Sequence, residues 1–360
     1  MNTVARTQIE IQKDALVNSR QVESNLELDG HENAAILEIQ TFGFSANNIT
    51  YALLGDRFGY WGFFPASEGY GITPVWGFAK VVQSNTDALK VGELVYGYLP
   101  MATHLLIHAD KITASGFSDS HPQRRSISPV YDHYIRCEAD PSYHQSMESW
   151  ILTFRPLFTT SFVLAYTLSD RMPAHKGSVF ITSASSKTAY GTAQILRTIM
   201  PDVRLVGLTS AGQTAFVEQT GCYDDVISYD DLSQDTVAES DWILDFSGDQ
   251  GRLSKLRSHH STATERTLLI GATDVEAQGL REKVSIGHVF FAPDEVRRYT
   301  KEWGSEEFQK RYFQHWQSFV KHFKPLLSEH SQSGAQAIVK QFQQFLNGKV
   351  DPKVMHVLKF

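Results

Sequence analysis

The sequence predicts an α/β protein in which a β-barrel-like first part precedes a doubly wound parallel sheet. Short apolar runs separated by turn residues fill the first third of the chain, and from Val179 onward strand and helix patterns alternate. Residues Gly177–Ser210 have the pattern of one βαβ unit. Such alternation is typical of a parallel sheet with helices on both faces.

The first part is rich in predicted strands. Apolar runs at Ala34–Ile39, Gly77–Val82 and Val91–Tyr98 are separated by Gly-containing and polar turns. Residues 55–76 combine glycines with aromatic residues, which indicates rings packed in a loop and excludes a long helix. Short strands at this spacing favour a barrel.

The remaining elements follow in order. Residues 115–145 are polar, and we expect an exposed connection with some local structure there. Helical periodicity begins near Met147 and runs through Leu168, with a break at Pro156. The tail from Asp294 to Gly348 is expected to be mostly helical. Strands and helices then predicted for the parallel sheet are Val179–Ile181, Tyr190–Met200, Val203–Leu208, Thr214–Gln219, Asp225–Ile227, Trp242–Phe246, Leu268–Gly271 and His288–Phe291.

Composition indicates a soluble globular chain. The 360 residues are enough for two domains, and 42 % are hydrophobic while 20 % are charged. A net charge of −7 makes nucleic acid an unexpected partner. The polar start predicts no signal peptide, and we find no uninterrupted apolar stretch long enough for a bilayer. We therefore expect a cytoplasmic protein without membrane contact that acts on a small molecule.

The βαβ unit carries the candidate cofactor site. A loop of small residues joins its first strand to its helix, so backbone N–H groups meet at a helix N-terminus, which suits a pyrophosphate. Of the glycines in a G-x-G-x-x-G fingerprint only Gly191 is present, and an ordinary strand–turn–helix is the alternative. The loop residues expected to bind the cofactor are Ser183, Ala184, Ser185, Ser186, Lys187 and Thr188.

Several segments resemble the medium-chain dehydrogenases/reductases. Residues 75–82 and 89–97 are similar to their "G-x-V … F-x-V-G-D-x-V-x-G" run, with Glu93 in place of the usual Asp. Residues 214–229 resemble the passage after the second Rossmann strand, and Asp245–Gly248 matches "D-x-x-G". A closer resemblance, to the divergent DUF2855 family, extends over nearly the whole chain. The segments that carry it are SANNITYALLG, PVWGFAKVV, RPLFTTSF, SASSKTA and FFAPDEV.

This resemblance implies three regions. They are a GroES-like catalytic domain at residues 1–145, a Rossmann nucleotide-binding domain at 146–292, and a C-terminal helical segment at 293–360 that packs back on the catalytic domain. By analogy, the strand His288–Phe291 would form a sheet edge through which two copies make a homodimer.

The resemblance further implies an enzyme without zinc. Residues 66–71 stand where zinc-containing relatives have "G-H-E", and they contain no His. Residues 41–60 contain no Cys, and Cys137 and Cys222 are too few for a four-Cys lobe. The close pair His259–His260 lacks a plausible ligand geometry. We therefore expect no metal site.

Candidate catalytic residues also follow from the resemblance. Asn47 and Thr50 align with the Asn and Asp of the "N-P-x-D" motif that lies beside the nicotinamide in zinc-free relatives. Tyr51 and Tyr60 are candidate donors to a reduced carbonyl, whereas the alternative makes them core residues. Aromatic residues that would suit a flat apolar substrate, or else belong to the core, are Trp61, Phe63 and Phe64.

The cofactor is expected to be NADP rather than NAD. NAD enzymes tend to carry an acid at the end of the second Rossmann strand, and here Thr209 and Ser210 occupy that end. They would accept a 2′-phosphate that Lys187 neutralises, although no Arg follows Ser210 in the loop. Tyr229 is expected near the adenine. Further residues expected to line the cofactor cleft are Ser247, Gly248, Gly271–Thr273, Phe290 and Phe291, the last two beside the nicotinamide.

These expectations lead to one function and two alternatives. The first is a zinc-independent NADPH-dependent reductase that transfers hydride to a quinone, an enone or a related activated carbonyl. The second is a nucleotide-binding protein without redox turnover. The third is a non-redox enzyme on the same fold, such as a lyase or a thioester hydrolase, against which the absence of a G-x-S-x-G motif counts.

Overall fold

A computed structural model describes residues 3–126, 129–172, 177–233, 236–257, 265–271 and 287–360. The chain forms two compact units, and each is described by itself. Unit 1 comprises Met1–Thr153 and Ser328–Phe360, and unit 2 comprises Phe154–Leu327. The division therefore falls at 153/154 and 327/328, whereas the sequence led us to expect 145/146 and 292/293.

The regular elements in the first part of unit 1 are mostly β-strands. Its elements are β1 (Thr3–Gln12), β2 (Ser19–Glu27), β3 (Ala34–Phe44), α1 (Ala46–Leu53), β4 (Tyr70–Gly71), β5 (Pro74–Ser84), β6 (Leu94–Pro100), β7 (His104–Asp110), β8 (Gly116–Asp119) and β9 (His133–Arg136).

Six of these strands close a barrel. They pair in the order β3-β5-β6-β9-β8-β7, and β3 also pairs with β7 to complete the ring. A separate three-stranded sheet has the order β2-β1-β4. The expected GroES-like barrel is thus confirmed, and apolar side chains of its strands such as Ile36, Phe78 and Val95 are buried.

Residues 115–145 have local structure, as expected, but the expectation of an exposed connection was wrong for the strands that they contain. This stretch contains β8 and β9, which complete the barrel through pairs such as Gly116↔Ile135 and Phe117↔Tyr134. Phe117 and Tyr134 are fully buried and stack at 5.3 Å. The two strands have only four residues each, so polar turns dominate the local pattern and conceal them.

The helix α2 (Glu148–Arg171) continues through Pro156, so the expected break was wrong as well. Proline has no N–H for the carbonyl four residues earlier, which is that of Leu152. This carbonyl lies against Gly43 of β3, where a Cβ would come within 2.3 Å of its oxygen. The free carbonyl is therefore accommodated by close packing.

Among the described residues, one helical stretch has the length and composition that could cross a membrane. It is Gln145–Arg171, with a mean hydropathy of 1.3 in its most apolar window. Within that window 72 % of the residues are buried inside the protein, as is common for core helices of soluble proteins.

Unit 2 is built on a parallel sheet. Its elements are β10 (Val179–Ile181), α3 (Lys187–Ile199), β11 (Leu205–Thr209), α4 (Thr214–Gln219), β12 (Asp225–Ser228), β13 (Trp242–Asp245), α5 (Gln250–Arg257), β14 (Thr267–Leu269), β15 (His288–Val289), α6 (Ala292–Trp303) and α7 (Ser305–Phe323).

The six strands of this sheet lie in the order β12-β11-β10-β13-β14-β15, and all their pairings are parallel. In sequence order this is 3-2-1-4-5-6, the arrangement of a Rossmann fold, so that expectation is confirmed. The central strands β10, β11 and β13 are fully buried, as parallel strands between helices must be. β15 forms one edge, as expected.

The C-terminal residues divide between the units. α6 and α7 belong to unit 2, where Phe323 of α7 packs on Tyr190 of α3 with ring centroids 4.6 Å apart. The last elements, β16 (Ser328–Ser333), α8 (Ala335–Leu346) and β17 (Val354–Lys359), belong to unit 1. There β17 pairs with β3, and Phe345 of α8 packs on Phe44 at 5.4 Å.

Candidate functional site

The loop after β10 lies at the carboxyl edge of the parallel sheet. Ser183 adopts a positive φ of 47°, a conformation that favours glycine. The next residue, Ala184, is fully buried, and its N–H donates to the carbonyl of Leu208 in β11 at 3.0 Å. A Cβ added at Gly207 of β11 would lie 3.1 Å from that of Ala184, so small residues are needed on both sides.

The loop leads directly into the N-terminus of α3. Ser186 caps the helix, and its hydroxyl accepts from the N–H of Ala189 at 3.4 Å. Lys187 and Thr188 form the first turn, and the carbonyl of Thr188 accepts from the hydroxyl of Ser161 at 2.8 Å. The six loop residues selected from the sequence thus form one continuous turn that ends at a helix N-terminus.

A buried carboxylate joins β13 to β10 at the same edge. Asp245 is 1 % exposed and accepts from the hydroxyls of Thr182 at 2.6 Å and Ser247 at 2.7 Å. The backbone N–H of Gly248 donates to it at 3.2 Å. Burial raises the pKa of Asp245, although these hydrogen bonds act in the opposite direction. The carboxylate fixes the positions of Ser247 and Gly248, two residues selected from the sequence.

The end of β12 also reaches the loop. The hydroxyl of Tyr229 accepts from the backbone N–H of Ser183 at 2.6 Å. The guanidinium of Arg252, from α5, lies over the Tyr229 ring, with Cζ 3.8 Å from the centroid. Burial raises the pKa of Tyr229, although the hydrogen bond with Ser183 and the charge of Arg252 lower it. The phenol is therefore a neutral hydrogen-bonding group of the loop.

The other residues selected for the cofactor occupy neighbouring strand ends. Thr209 is buried, and its hydroxyl lies 3.5 Å from that of Ser185, whereas Ser210 is exposed. Gly271 follows β14, with its N–H 3.3 Å from the carbonyl of Asp245. The expected continuation to Thr273 lies outside the described residues. Phe290 and Phe291 follow β15. Phe290 is buried, and Phe291 precedes α6.

The catalytic candidates lie in unit 1, where α1 and the barrel carry a cluster of aromatic rings. Tyr51 and Tyr60 have ring centroids 4.7 Å apart. The indole N–H of Trp76 donates to the Tyr51 hydroxyl at 3.2 Å, and the hydroxyls of Tyr60 and Tyr131 lie 3.3 Å apart. The structure therefore brings two of the four catalytic candidates into one cluster of aromatic rings.

Asn47 joins this cluster and Thr50 does not. Asn47 lies one helical turn before Tyr51; burial raises the Tyr51 pKa, and a hydrogen bond from the Asn47 side chain acts in the opposite direction. The Thr50 hydroxyl donates instead to the carbonyl of Ala46 at 3.4 Å, within its own helix. The neighbouring Asn48 is structural, because its side chain caps α1 and donates to the carbonyl of Pro74.

Burial dominates the acid–base behaviour of the cluster. Tyr51 is 5 % and Tyr60 6 % exposed, and burial raises the pKa of both phenols. Both hydroxyls therefore stay protonated near neutral pH and can donate a hydrogen bond, but they cannot act as bases. The three aromatic residues considered for a substrate pocket are buried at 6 % exposure or less: Trp61, Phe63 and Phe64.

Potential metal ligands are dispersed in the described parts of the chain. No group of three or more His, Cys, Asp and Glu side chains in these parts of the chain could hold a metal ion. The pair His259–His260 lies outside the described residues.

Sequence reasoning missed three polar partners of the loop. Thr182 and Asp245 hold the ends of β10 and β13 together, and Arg252 adds a cation beside Tyr229. The "D-x-x-G" match was a usable signal for Asp245. No sequence signal indicated Arg252, because this residue belongs to a helix that follows a different strand.

Comparison with solved structures identifies chains of the same fold. CurA from Vibrio vulnificus aligns with a TM-score of 0.63 and 15 % identity over 98 % of both chains. TarJ from S. aureus in complex with NADPH aligns with a TM-score of 0.57 and 13 % identity over 99 % of this chain and 100 % of that one. A putative NADPH:quinone reductase from Bacillus thuringiensis aligns with a TM-score of 0.54 and 14 % identity over 99 % of both chains.

Identities this low establish the fold alone, which is the fold that the resemblance to medium-chain dehydrogenases/reductases implied. No curated protein sequence matches the chain. A family model described as "Protein of unknown function (DUF2855)" matches residues 42–351. Since this match extends over most of the chain, the chain belongs to the DUF2855 family.

Proposed function

We propose that the protein is a zinc-independent reductase that uses NADPH in preference to NADH and reduces a quinone, an enone or a related activated carbonyl. The two units would contribute different parts: unit 2 binds the dinucleotide, and unit 1 supplies hydrogen-bond donors. NADPH when bound supplies a hydride for such a reduction.

One observation carries the proposal. The strand order of unit 2 reverses between β10 and β13, and ligands of open α/β sheets bind at the carboxyl ends of the strands at such a point. There the structure has a small-residue loop, a helix N-terminus, and Ser247 and Gly248 fixed by Asp245. These groups fit a pyrophosphate, since small side chains permit close approach of the backbone and N–H groups at a helix start attract anions.

The preference for NADPH rests on the end of β11. Thr209 is buried against Ser185, so Ser210 is the exposed hydroxyl at that position, and neither residue is an acid that would repel a 2′-phosphate. Lys187 opens α3 at the neighbouring strand end. Solved chains of the same fold include two complexes with NADPH, those of TarJ and CurA.

In unit 1 we assign the donor role to Tyr51. Its protonated hydroxyl would hydrogen-bond to a carbonyl oxygen that gains negative charge during reduction. Trp76 orients this hydroxyl by donating to its oxygen, and Asn47 would hold it from one turn earlier. We assign Tyr60 a supporting role, because its hydroxyl lies beside that of Tyr131.

The test is NADPH oxidation by the purified full-length protein, followed by the absorbance of the reduced nicotinamide, with a panel of quinones and enones and with or without a strong chelator. We expect turnover with at least one acceptor, faster with NADPH than with NADH, and unaffected by the chelator. Turnover that the chelator abolishes would refute zinc independence.

A nucleotide-binding protein without redox turnover is the second candidate. It is favoured by the burial of the Tyr51 and Tyr60 hydroxyl-bearing side chains, which are 5 % and 6 % exposed. Saturable NADPH binding without oxidation by any acceptor in the panel would support this candidate over the reductase.

A further inference from the structure

We propose that Arg252 is the residue that recognises the 2′-phosphate of NADPH. The inference rests on the proposed function, because it assigns a specificity determinant within the same dinucleotide site. Arg252 would also provide a positive charge for the 2′-phosphate, since the loop after Ser210 contains no Arg.

The position of Arg252 is the first support. It lies in the first turn of α5, and its guanidinium covers the ring of Tyr229 with Cζ 3.8 Å from the centroid. The Tyr229 hydroxyl binds the N–H of Ser183 at 2.6 Å. The cation is thus joined through a single ring to the loop that would hold the pyrophosphate.

The chemistry of the guanidinium is the second support. A planar guanidinium presents donors in a fork that matches two phosphate oxygens, and stacking on an aromatic ring orients that plane. Arg252 is 25 % exposed, so a ligand at the sheet edge can reach it. Ser210, at the end of the neighbouring strand, would add a hydroxyl.

The arrangement of charges around Arg252 is the third support. Asp249 caps α5, with one oxygen 2.9 Å from the N–H of Arg252 and the other 3.2 Å from its Nη2. Of the other acidic residues in this part of the unit, Asp245 is buried, and Asp230, which follows Tyr229, is exposed. A dianionic phosphate would attract the guanidinium more strongly than the single carboxylate of Asp249, so the ion pair would loosen when NADPH binds.

The experiment is a fluorescence titration of the full-length protein with NADPH and with NADH. For Arg252→Gln we expect the Kd for NADPH to rise about 10- to 100-fold, as is typical when a charge-assisted hydrogen bond is lost, and the Kd for NADH to change less than about 2-fold. Arg204→Gln is the matched control. It removes the same charge just before β11, at the opposite end of that strand, where Arg204 pairs with the exposed Asp225.

A second variant should act in the opposite direction. Asp249→Asn keeps a good helix cap but removes the competing carboxylate. We expect this variant to lower the Kd for NADPH several-fold while the Kd for NADH stays nearly constant. Opposite shifts from two residues in one ion pair would not result from a general loss of structure.

The outcomes separate this inference from the proposed function. If the wild type binds NADPH and Arg252→Gln weakens both cofactors equally, or neither, the inference is wrong and the proposed function stands. If the wild type binds neither cofactor, the proposed function fails and the inference fails with it. If Arg204→Gln weakens NADPH binding as much as Arg252→Gln does, the effect is one of long-range charge, and the assignment of Arg252 is wrong.

Discussion

The hydroxyl of Tyr229 accepts a hydrogen bond from the backbone N–H of Ser183 at 2.6 Å, between residues 46 positions apart. It joins the end of β12 to the loop that follows β10. Ser183 has a positive φ, so the loop takes a shape that serine alone does not favour. We infer that Tyr229 stabilises this shape before any ligand binds.

This relationship predicts the effect of Tyr229→Phe. The variant keeps the ring under Arg252 but removes the hydroxyl that accepts from the N–H of Ser183. We expect the free energy of unfolding to fall by about 1–2 kcal/mol, as for a partly buried donor that loses its partner. Urea denaturation measures this change.

Tyr190→Phe is the control for that prediction. The Tyr190 hydroxyl is buried in the same unit and has no hydrogen-bond partner among the described residues. Its removal should leave stability unchanged or slightly increased. A loss of stability in Tyr190→Phe as large as that in Tyr229→Phe would contradict our reading of the loop.

Tyr51→Phe tests the donor role in unit 1. We expect kcat for the best acceptor to fall about 100-fold, as when a positioned donor is removed, while the Kd for NADPH stays constant. The matched control is Tyr143→Phe, which removes a hydroxyl that donates to Glu148 at 2.7 Å. An unchanged kcat in Tyr51→Phe, or an equal loss in both variants, would remove Tyr51 from the mechanism.

The pKa values of His108 and His121 predict how stability depends on pH. His108 Nε2 lies 3.0 Å from His31 Nδ1, and the His108 ring stacks on His121 at 5.4 Å, with Asp119 and Arg124 beside them. Burial lowers the pKa values of His108 and His121 from 6.5; the carboxylate of Asp119 opposes this effect, and the charge of Arg124 adds to it. The unfolded chain therefore takes up protons first as the pH falls.

The sign of the effect follows from this difference. Stability is full above about pH 6.5 and declines as the pH drops below that value, because protons then favour the unfolded state. Urea denaturation between about pH 7.5 and about pH 5.5 should show the decline, and His108→Gln should make it shallower. If stability declines as steeply with falling pH in the variant as in the wild type, other groups cause the pH dependence.

Gly43→Ala tests the close packing of α2 on the barrel. The added Cβ would lie 2.3 Å from the Leu152 carbonyl oxygen, so backbone must shift. We expect a loss of about 1–3 kcal/mol in the free energy of unfolding. At Gly62 an added Cβ meets nothing within 4 Å among the described residues, so Gly62→Ala should change stability by less than about 0.5 kcal/mol. Similar losses in both would contradict the packing argument.

Local patterns were sufficient for much of unit 2. The helix at Thr214–Gln219 and the strand at Trp242–Asp245 lie where periodicity predicts them, and the small-residue loop ends at a helix as expected. These elements are defined by contiguous residues, so their signal is contained in one stretch of sequence.

Features that depend on distant residues could not be predicted in the same way. β8 and β9 are strands because they pair with each other and with the barrel, and four residues carry too little periodicity to reveal them. Pro156 continues a helix because the carbonyl it releases packs on Gly43. Arg252 reaches Tyr229 only after the sheet has formed, so no motif in the loop indicates it.

The catalytic candidates illustrate the same limit. Asn47 and Tyr51 are one turn apart, so their proximity follows from the helix, whereas the contact of Tyr51 with Trp76 needs the strand β5 beside it. Thr50 was selected by alignment, but its position on α1 directs its hydroxyl to its own helix.

The most direct test of the account is a fluorescence titration of the purified full-length protein with NADPH and with NADH. We predict saturable one-to-one binding of both, tighter for NADPH, at the loop Ser183–Thr188. Failure of both cofactors to bind at saturating concentrations would contradict the central claim that the carboxyl edge of the parallel sheet is a dinucleotide site.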